Sequence, residues 1–324
     1  MQRYLVTGGA GFIGSHIVDA LIARGAVVRV LDNLETGHPR NLAAAAAAGG
    51  ARLEFIQGDI RDVATCRRAA AGMDCVFHEA ALGSVPRSLE DPITTHEVNA
   101  TGTLNILMAA QAAGVQRLVF ASSSSVYGDS PVLPKHEQLP PDPLSPYGVS
   151  KLAAESYCRA FAHAYGLSTI CLRYFNVFGP RQDPLSQYAA VIPKFIAALQ
   201  QGQRPVIYGD GQQSRDFTYV ADVVQANLLA ADSPAGVGQT FNVACGTHHS
   251  LLSLLDRLNT LLATQLVPEW AAPRPGDIKD SLAAIDAVRQ VLGYTPQYSF
   301  AEGLRRTVAA AARPDPAGIT RGDT

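Results

Sequence analysis

At 324 residues the chain is too long for a peptide hormone or a small disulfide scaffold, and it has room for two domains or one large α/β unit. Apolar residues make up 47% and charged residues 17%, with 26 Lys and Arg against 28 Asp and Glu, which suits a compact globule and gives no global attraction to nucleic acid or anionic lipid. No run approaches ~18 uninterrupted apolar residues, so neither a membrane-spanning helix nor a signal peptide is expected, and the cytoplasm is the expected compartment. Short β-branched runs at Arg3–Thr7, Val27–Asp32, Leu53–Gln57, Cys75–His78, Leu118–Ser122 and Thr169–Tyr174 alternate with helical stretches such as Ser15–Ala23 and Asn99–Ala113. That alternation predicts repeated βαβ units, a doubly wound parallel sheet covered on both faces. Ala43–Ala48 predicts a helix, since alanine is the best helix former. Beyond residue 175 turn residues become denser, and helical pieces at Ala189–Gln200, Asp222–Ala231 and Leu251–Leu262 are separated by longer loops. The expected organisation is a first domain over 1–175, onto which 217–245 packs back, and a smaller α/β lobe from 176–216 and 246–312, with a mobile tail at 313–324. Cys66, Cys75, Cys158, Cys171 and Cys245 are odd in number and widely spaced, and read as buried thiols.

The first strand runs into Gly8-Gly9-Ala10-Gly11-Phe12-Ile13-Gly14, and a helix begins behind it. Glycine is needed there because a strand that turns tightly into a helix and lets a pyrophosphate touch backbone N–H groups has no room for Cβ atoms. Asp32 closes the second strand, where an acidic side chain meets the ribose hydroxyls of a dinucleotide and repels a 2′-phosphate. A Rossmann dinucleotide site is therefore expected, with NAD favoured over NADP. Asp59-Ile60 and Ala80-Ala81 fall at the carboxyl ends of the third and fourth strands, where ligands bind in open sheets. Asp59 reads equally well as a cap for the next helix.

Tyr147 and Lys151 are spaced i,i+4 in Ser145-Pro146-Tyr147-Gly148-Val149-Ser150-Lys151, at a helix start, so an ammonium can sit near the phenol. A tyrosine with pKa near ~10 is a poor base at neutral pH, and positive charge from Lys151 and an oxidised nicotinamide favours its phenolate. By itself the pair also reads as a surface Tyr and Lys. The run Ser122-Ser123-Ser124-Ser125 leaves the end of the fifth strand at the same sheet edge, and a hydroxyl there can hydrogen-bond a substrate oxygen beside Tyr147.

The Gly-rich loop, the serine run ending in Val126-Tyr127-Gly128, the Tyr147/Lys151 pair and Arg173-Tyr174-Phe175-Asn176-Val177-Phe178-Gly179 together resemble the extended short-chain dehydrogenase/reductase family, the NAD-dependent epimerases and dehydratases, over about residues 1 to 310. The resemblance implies tightly held NAD, with Asn33, Asn99, Ser122 and Tyr174 joining the residues above around it, and a nucleotide sugar as substrate. In the dehydratase branch a Thr matching Ser123 is followed by Asp-Glu, the acid and base for water elimination. Here Ser124-Ser125 stand in those places, and neither hydroxyl suits that step. Decarboxylation needs a pocket for a sugar carboxylate, for which Gly83-Ser84-Val85-Pro86-Arg87 offers Arg87 as a candidate partner; Arg87 reads equally well as solvated or facing a phosphate, and Ser84 is a further expected substrate contact. The chemistry expected is 4-epimerisation, with Ser123, Tyr147 and Lys151 as the catalytic residues and no metal. Similarity to bacterial UDP-N-acetylglucosamine and UDP-glucose 4-epimerases implies that Asn176 and Arg215 bind the diphosphate, that Arg274 and Asp277 complete the phosphate and ribose contacts, and that Ala190, Val191, Val206 and Tyr208 enclose uracil. Ser281 matches a position where epimerases restricted to unacetylated sugars carry Tyr, so it leaves room for a 2-acetamido group. Helices matching Asn99–Ala113 and Tyr147–Ala164 imply a homodimer. The alternatives left open are a UDP-uronate 4-epimerase or decarboxylase, and a non-catalytic sensor on the same fold.

Overall fold

A computed structural model describes residues 1–184, 190–273 and 279–312. Arg274, Asp277 and the expected mobile tail lie outside the described residues. Seven parallel strands form the central sheet: β1 (Arg3–Thr7), β2 (Val27–Asp32), β3 (Leu53–Gln57), β4 (Cys75–His78), β5 (Arg117–Ser123), β6 (Ser168–Tyr174) and β7 (Thr240–Val243), in spatial order 7-6-5-4-1-2-3. The order reverses between β1 and β4, the topological switch point of a Rossmann fold. Side chains alternate across the sheet, and each face has its own core: Tyr4, Val6, Val28, Val30, Val119 and Leu172 on one side, Leu5, Leu31, Val76, Leu118 and Phe120 on the other.

Helices α1 (Phe12–Ala23), α2 (Val63–Ala70), α3 (Val85–Glu90), α4 (Gly102–Ala112), α5 (Pro146–Ala164) and α6 (Val220–Asp232) bear on the site or the faces of the sheet. The start of α5 is written in its sequence: Ser145 accepts a hydrogen bond from Gly148 N at 3.1 Å and Pro146 occupies the first turn. α6 packs on α1, and Arg117 ties its end to β5 by donating to Ala230 O and Ser233 O, both at 2.8 Å. The remaining residues build a separate core in which Phe178, Phe217, Tyr219 and Phe300 pack with the helices Val191–Gln200, Leu251–Leu262 and Phe300–Ala311. Three two-stranded pieces, among them Val206–Tyr208 beside Glu269–Ala271, complete that lobe.

Candidate active site

The carboxyl ends of the central strands open on one cleft of about 610 Å³ that straddles the switch point. Gly8 leaves β1 at φ +66°, a left-handed conformation, and a Cβ there would lie 2.7 Å from Ala80 N. A Cβ on Gly14 would meet Gly8 O at 2.3 Å. Gly11 N donates to Gly8 O at 3.0 Å to close the turn, and α1 then begins with no side chain capping its first amides. Gly11, Phe12, Ile13 and Gly14 line the cleft, so these amides and the positive end of the helix border a space for an anion.

Asp32 is 7% exposed, and its carboxylate accepts from Ala10 N at 2.9 Å and Leu34 N at 2.8 Å. Burial pushes this carboxyl up, against the pull of those two bonds. Beyond it, Asn33 Nδ2 donates to Asp59 Oδ2 at 3.0 Å, and the Arg61 guanidinium beside Asp59 holds that carboxyl down at about 2. Asp62, not Asp59, caps the following helix by accepting from Ala64 N and Thr65 N, so the expectation of Asp59 as that cap is not met. Glycines with no room for a Cβ, a helix start with no side-chain cap and a carboxylate at the end of the second strand fit a dinucleotide with an unphosphorylated ribose.

At the other end α5 presents Tyr147 from its first turn and Lys151 from its second. Lys151 is buried, donates from Nζ to Ala121 O at 2.8 Å, and lies 4.9 Å from the centre of the Phe120 ring. Burial pushes its ammonium down to about 8, against the attraction of Glu79 and other neighbours. Burial pushes the Tyr147 phenol up, and the neighbouring Ser123 hydroxyl partly offsets that. Ser123 is fixed in turn: its Oγ donates to Ser125 Oγ and accepts from Ser125 N, both at 3.1 Å. The next residue back points the other way, and the Ser122 hydroxyl donates to Glu155, which also holds Arg173 through contacts of 2.9 and 2.8 Å.

Nineteen of the residues expected from sequence therefore meet in one cleft: Gly8, Gly11–Gly14, Asp32, Asn33, Asp59, Ile60, Ala80, Ala81, Ser84, Arg87, Ser122, Ser123, Tyr147, Lys151, Tyr174 and Asn176. Asn99 stands behind the wall, where Oδ1 accepts from Leu82 N at 2.8 Å and Nδ2 donates to Ser150 Oγ at 3.1 Å. Ala190, Val191, Val206, Tyr208, Arg215 and Ser281 are not among the described residues lining the cleft. Arg215 donates to Ser214 O at 2.8 Å, and Ser281 N to Ser214 O at 3.1 Å, so these two share one corner of the smaller lobe. Sequence reasoning missed Glu35, Glu79 and Gln182 in the lining. Glu79 carried the one usable signal, a charged residue at the carboxyl end of β4 beside the expected Ala80.

The model of the NAD dependent epimerase/dehydratase family matches residues 4–244. A UDP-glucose 4-epimerase from Mycolicibacterium smegmatis is 41% identical over 309 residues, covering 95% of this chain and 97% of the relative. Among solved structures, UDP-N-acetylglucosamine 4-epimerase from Methanobrevibacter ruminantium, in complex with UDP-N-acetylmuramic acid, superposes with a TM-score of 0.91 at 42% identity, covering 96% and 98% of the two chains. The Thermus thermophilus UDP-glucose 4-epimerase in complex with NAD gives 0.86 at 38% identity, covering 95% and 98%. Sequence and architecture agree along nearly the whole length, and the dinucleotide cleft has the form such proteins require: this chain belongs to the NAD-dependent epimerase/dehydratase family, with NAD as its cofactor.

Proposed function

We propose that this enzyme is a UDP-hexose 4-epimerase that interconverts UDP-N-acetylglucosamine and UDP-N-acetylgalactosamine, and also accepts UDP-glucose and UDP-galactose. One observation carries the reading: Tyr147, Ser123 and Lys151 share the cleft with Ser124 and Ser125, hydroxyls where water elimination needs an acid and a base. Bound NAD supplies the acceptor and donor for the hydride at sugar C4. Tyr147, as phenolate, takes the proton of the 4-hydroxyl and later returns it to the same oxygen on either face of the sugar. Ser123, held in place by Ser125, hydrogen-bonds that oxygen while it is a carbonyl. Lys151 keeps a positive charge beside a phenol that burial alone would hold neutral. Because the proton goes back to the oxygen it left, one base is enough, and no metal is called for.

Asn176 supports a diphosphate contact from the cleft wall, and Arg215, Arg274 and Asp277 are the further contacts proposed for diphosphate and ribose. Ala190, Val191, Val206 and Tyr208 are proposed around uracil, and Ser281 beside the sugar C2 substituent. Arg87, the candidate partner of a sugar carboxylate, pairs with Glu35 at 2.8 Å, which favours an uncharged sugar over a uronate. Met108 on α4 with Val149 and Tyr157 on α5 are exposed apolar side chains that support pairing of these helices with a second copy. Purified protein incubated with UDP-N-acetylglucosamine and followed by the anomeric proton resonances is expected to yield UDP-N-acetylgalactosamine to a constant ratio. A dehydrated product, or conversion of a UDP-uronate alone, would overturn the reading.

A further inference from the structure

The segment that follows β6 brings Asn176 and Gln182 into the cleft lining, and its backbone is held in an unusual course. Asn176 stands at φ +35° and Arg181 at φ +69°. Left-handed backbone is costly for a residue with a Cβ, and it persists where the surroundings over-determine it. Between the two, Val177–Phe178 pairs with Thr218–Tyr219, and a Cβ on Gly179 would lie 2.5 Å from Val220 Cγ1 at the start of α6. The far end is fastened to α1. Arg181 donates from Nη2 to Asp19 Oδ2 at 2.6 Å and from Nη1 to Ser15 Oγ at 3.1 Å, and the His16 ring donates from Nε2 to Pro180 O at 3.0 Å. Ser15 and Asp19 are spaced i,i+4 and share one face of the helix. The Ser15 hydroxyl gives its own proton to Phe12 O at 3.1 Å, which leaves the oxygen to accept from Arg181. Gln182 Nε2 then donates back to Val177 O at 3.2 Å. Arg181, Asp19, Ser15 and His16 are not among the described residues lining the cleft, so this fastening lies behind the side chains it aims.

We propose that Arg181 is a positioning residue for the nucleotide sugar: its ion pair with Asp19, backed by the Ser15 and Pro180 contacts, holds the segment 176–182 against α1 so that Asn176 and Gln182 face the cleft. The inference rests on the proposed nucleotide-sugar reading for its effect on affinity, while its structural content, that the pair holds the segment, stands apart from it. Ser123 and Tyr147 reach the site from β5 and α5, so the chemical groups are placed without this segment. What the fastening supplies is order paid for before the substrate arrives. Once it is cut, binding must order the segment anew, and that cost falls on the bound state and the transition state alike. Substrate affinity should therefore weaken while kcat is kept.

Arg181→Gln and Asp19→Asn cut the pair from its two sides, and the double variant closes the cycle. In the purified holoenzyme, peptides spanning 175–184 should exchange their amide hydrogens faster in both single variants, with those of β1 to β4 unchanged. The Kd for UDP by calorimetry and the KM for UDP-N-acetylglucosamine should each rise about three- to tenfold, with kcat within about twofold and bound NAD per chain unaltered. The double variant should be no worse than the weaker single one, because the pair is already broken. Arg181→Lys, which keeps the charge but not the fork, should lie between parent and Arg181→Gln, and Asp19→Asn decides the matter if Arg181→Gln fails to fold. A loss of UDP affinity in Arg181→Gln alone, with Asp19→Asn like the parent, would overturn the proposal and make Arg181 a direct contact of the diphosphate. Unchanged exchange over 175–184, or a loss of kcat with KM and Kd unmoved, would overturn it as well. If the unsubstituted protein neither binds UDP nor epimerises its sugars, the function is overturned instead, and the exchange of 175–184 still decides whether the pair holds the segment.

Discussion

Replacing Glu155 with Leu removes the hub of the buried network behind the serine run. Arg173 donates to that carboxylate from Nε at 2.9 Å and Nη2 at 2.8 Å, the Ser122 hydroxyl donates to it as well, and the two charged side chains are 6% and 5% exposed. Once the carboxylate is gone, the guanidinium has only the Tyr127 ring 4.6 Å away, and its Nη1 lacks a hydrogen-bond partner already. An uncompensated buried charge of this kind costs about 3–5 kcal/mol of unfolding free energy. At about 1.5 °C per kcal/mol, from ~2.1 cal/mol/K of unfolding entropy per residue over a chain of this length, the melting temperature should fall by roughly 4–7 °C. Glu155→Leu combined with Arg173→Met removes both charges, and should cost less than the two single substitutions added together by about 2 kcal/mol or more. Urea unfolding followed by circular dichroism, at one fixed NAD concentration because bound cofactor itself stabilises, provides all four free energies. A cost below about 1 kcal/mol for Glu155→Leu, or strict additivity in the double variant, would refute the claim that this pair is a buried and mutually dependent element.

Tyr147→Phe keeps the ring but removes the proton acceptor, and is expected to lower kcat by about 10²–10⁴-fold with UDP-sugar affinity by calorimetry little changed; activity within tenfold of the parent would exclude Tyr147 as the base. Asp216 is fully buried and accepts from Cys245 N, Gly246 N and Ala283 N at 3.0, 3.0 and 3.2 Å, yet burial pushes its carboxyl up to about 6. The folded state then holds its proton at a pH where the unfolded chain has released it, so stability should fall as pH rises from about 4 to 6 and level off above; unfolding of Asp216→Asn, compared with the parent at pH 4.5 and 7, should lack that slope. Ser281→Tyr is expected to cut kcat/KM for UDP-N-acetylglucosamine by roughly 10- to 200-fold and leave UDP-glucose within about threefold; equal losses on both sugars would make Ser281 a packing residue.

Much of the first half was legible because its signals are local. β1 through β4 begin and end where their β-branched runs do, since alternating apolar residues on a buried parallel sheet leave little freedom of register. The glycine loop was legible because steric exclusion at Gly8 and Gly14 is a property of the backbone itself. β7 was missed: Thr240–Val243 is four residues long, and what makes it a strand is pairing with β6 across a separation no local pattern records. The partners of Asn99 were hidden for a similar reason. Its side chain serves the backbone of Leu82, 17 positions earlier, and the Ser150 hydroxyl on α5, 51 positions later, partners that only the fold brings together. The ammonium of Lys151 donates to Ala121 O, a backbone partner that the i,i+4 spacing from Tyr147 does not disclose. Glu79 went unnoticed because its hydrogen-bond partner, Tyr174, is 95 positions away in the chain.

The central claim is that the configuration at C4 is inverted by removing and returning the same hydrogen. The measurement that tests it most directly is turnover of UDP-N-acetylglucosamine carrying deuterium at C4, in ordinary water, with the product analysed by NMR and mass spectrometry. The account expects UDP-N-acetylgalactosamine that retains the deuterium at C4, and no label entering that position when unlabelled substrate reacts in deuterated water. Loss of the deuterium to solvent would contradict it.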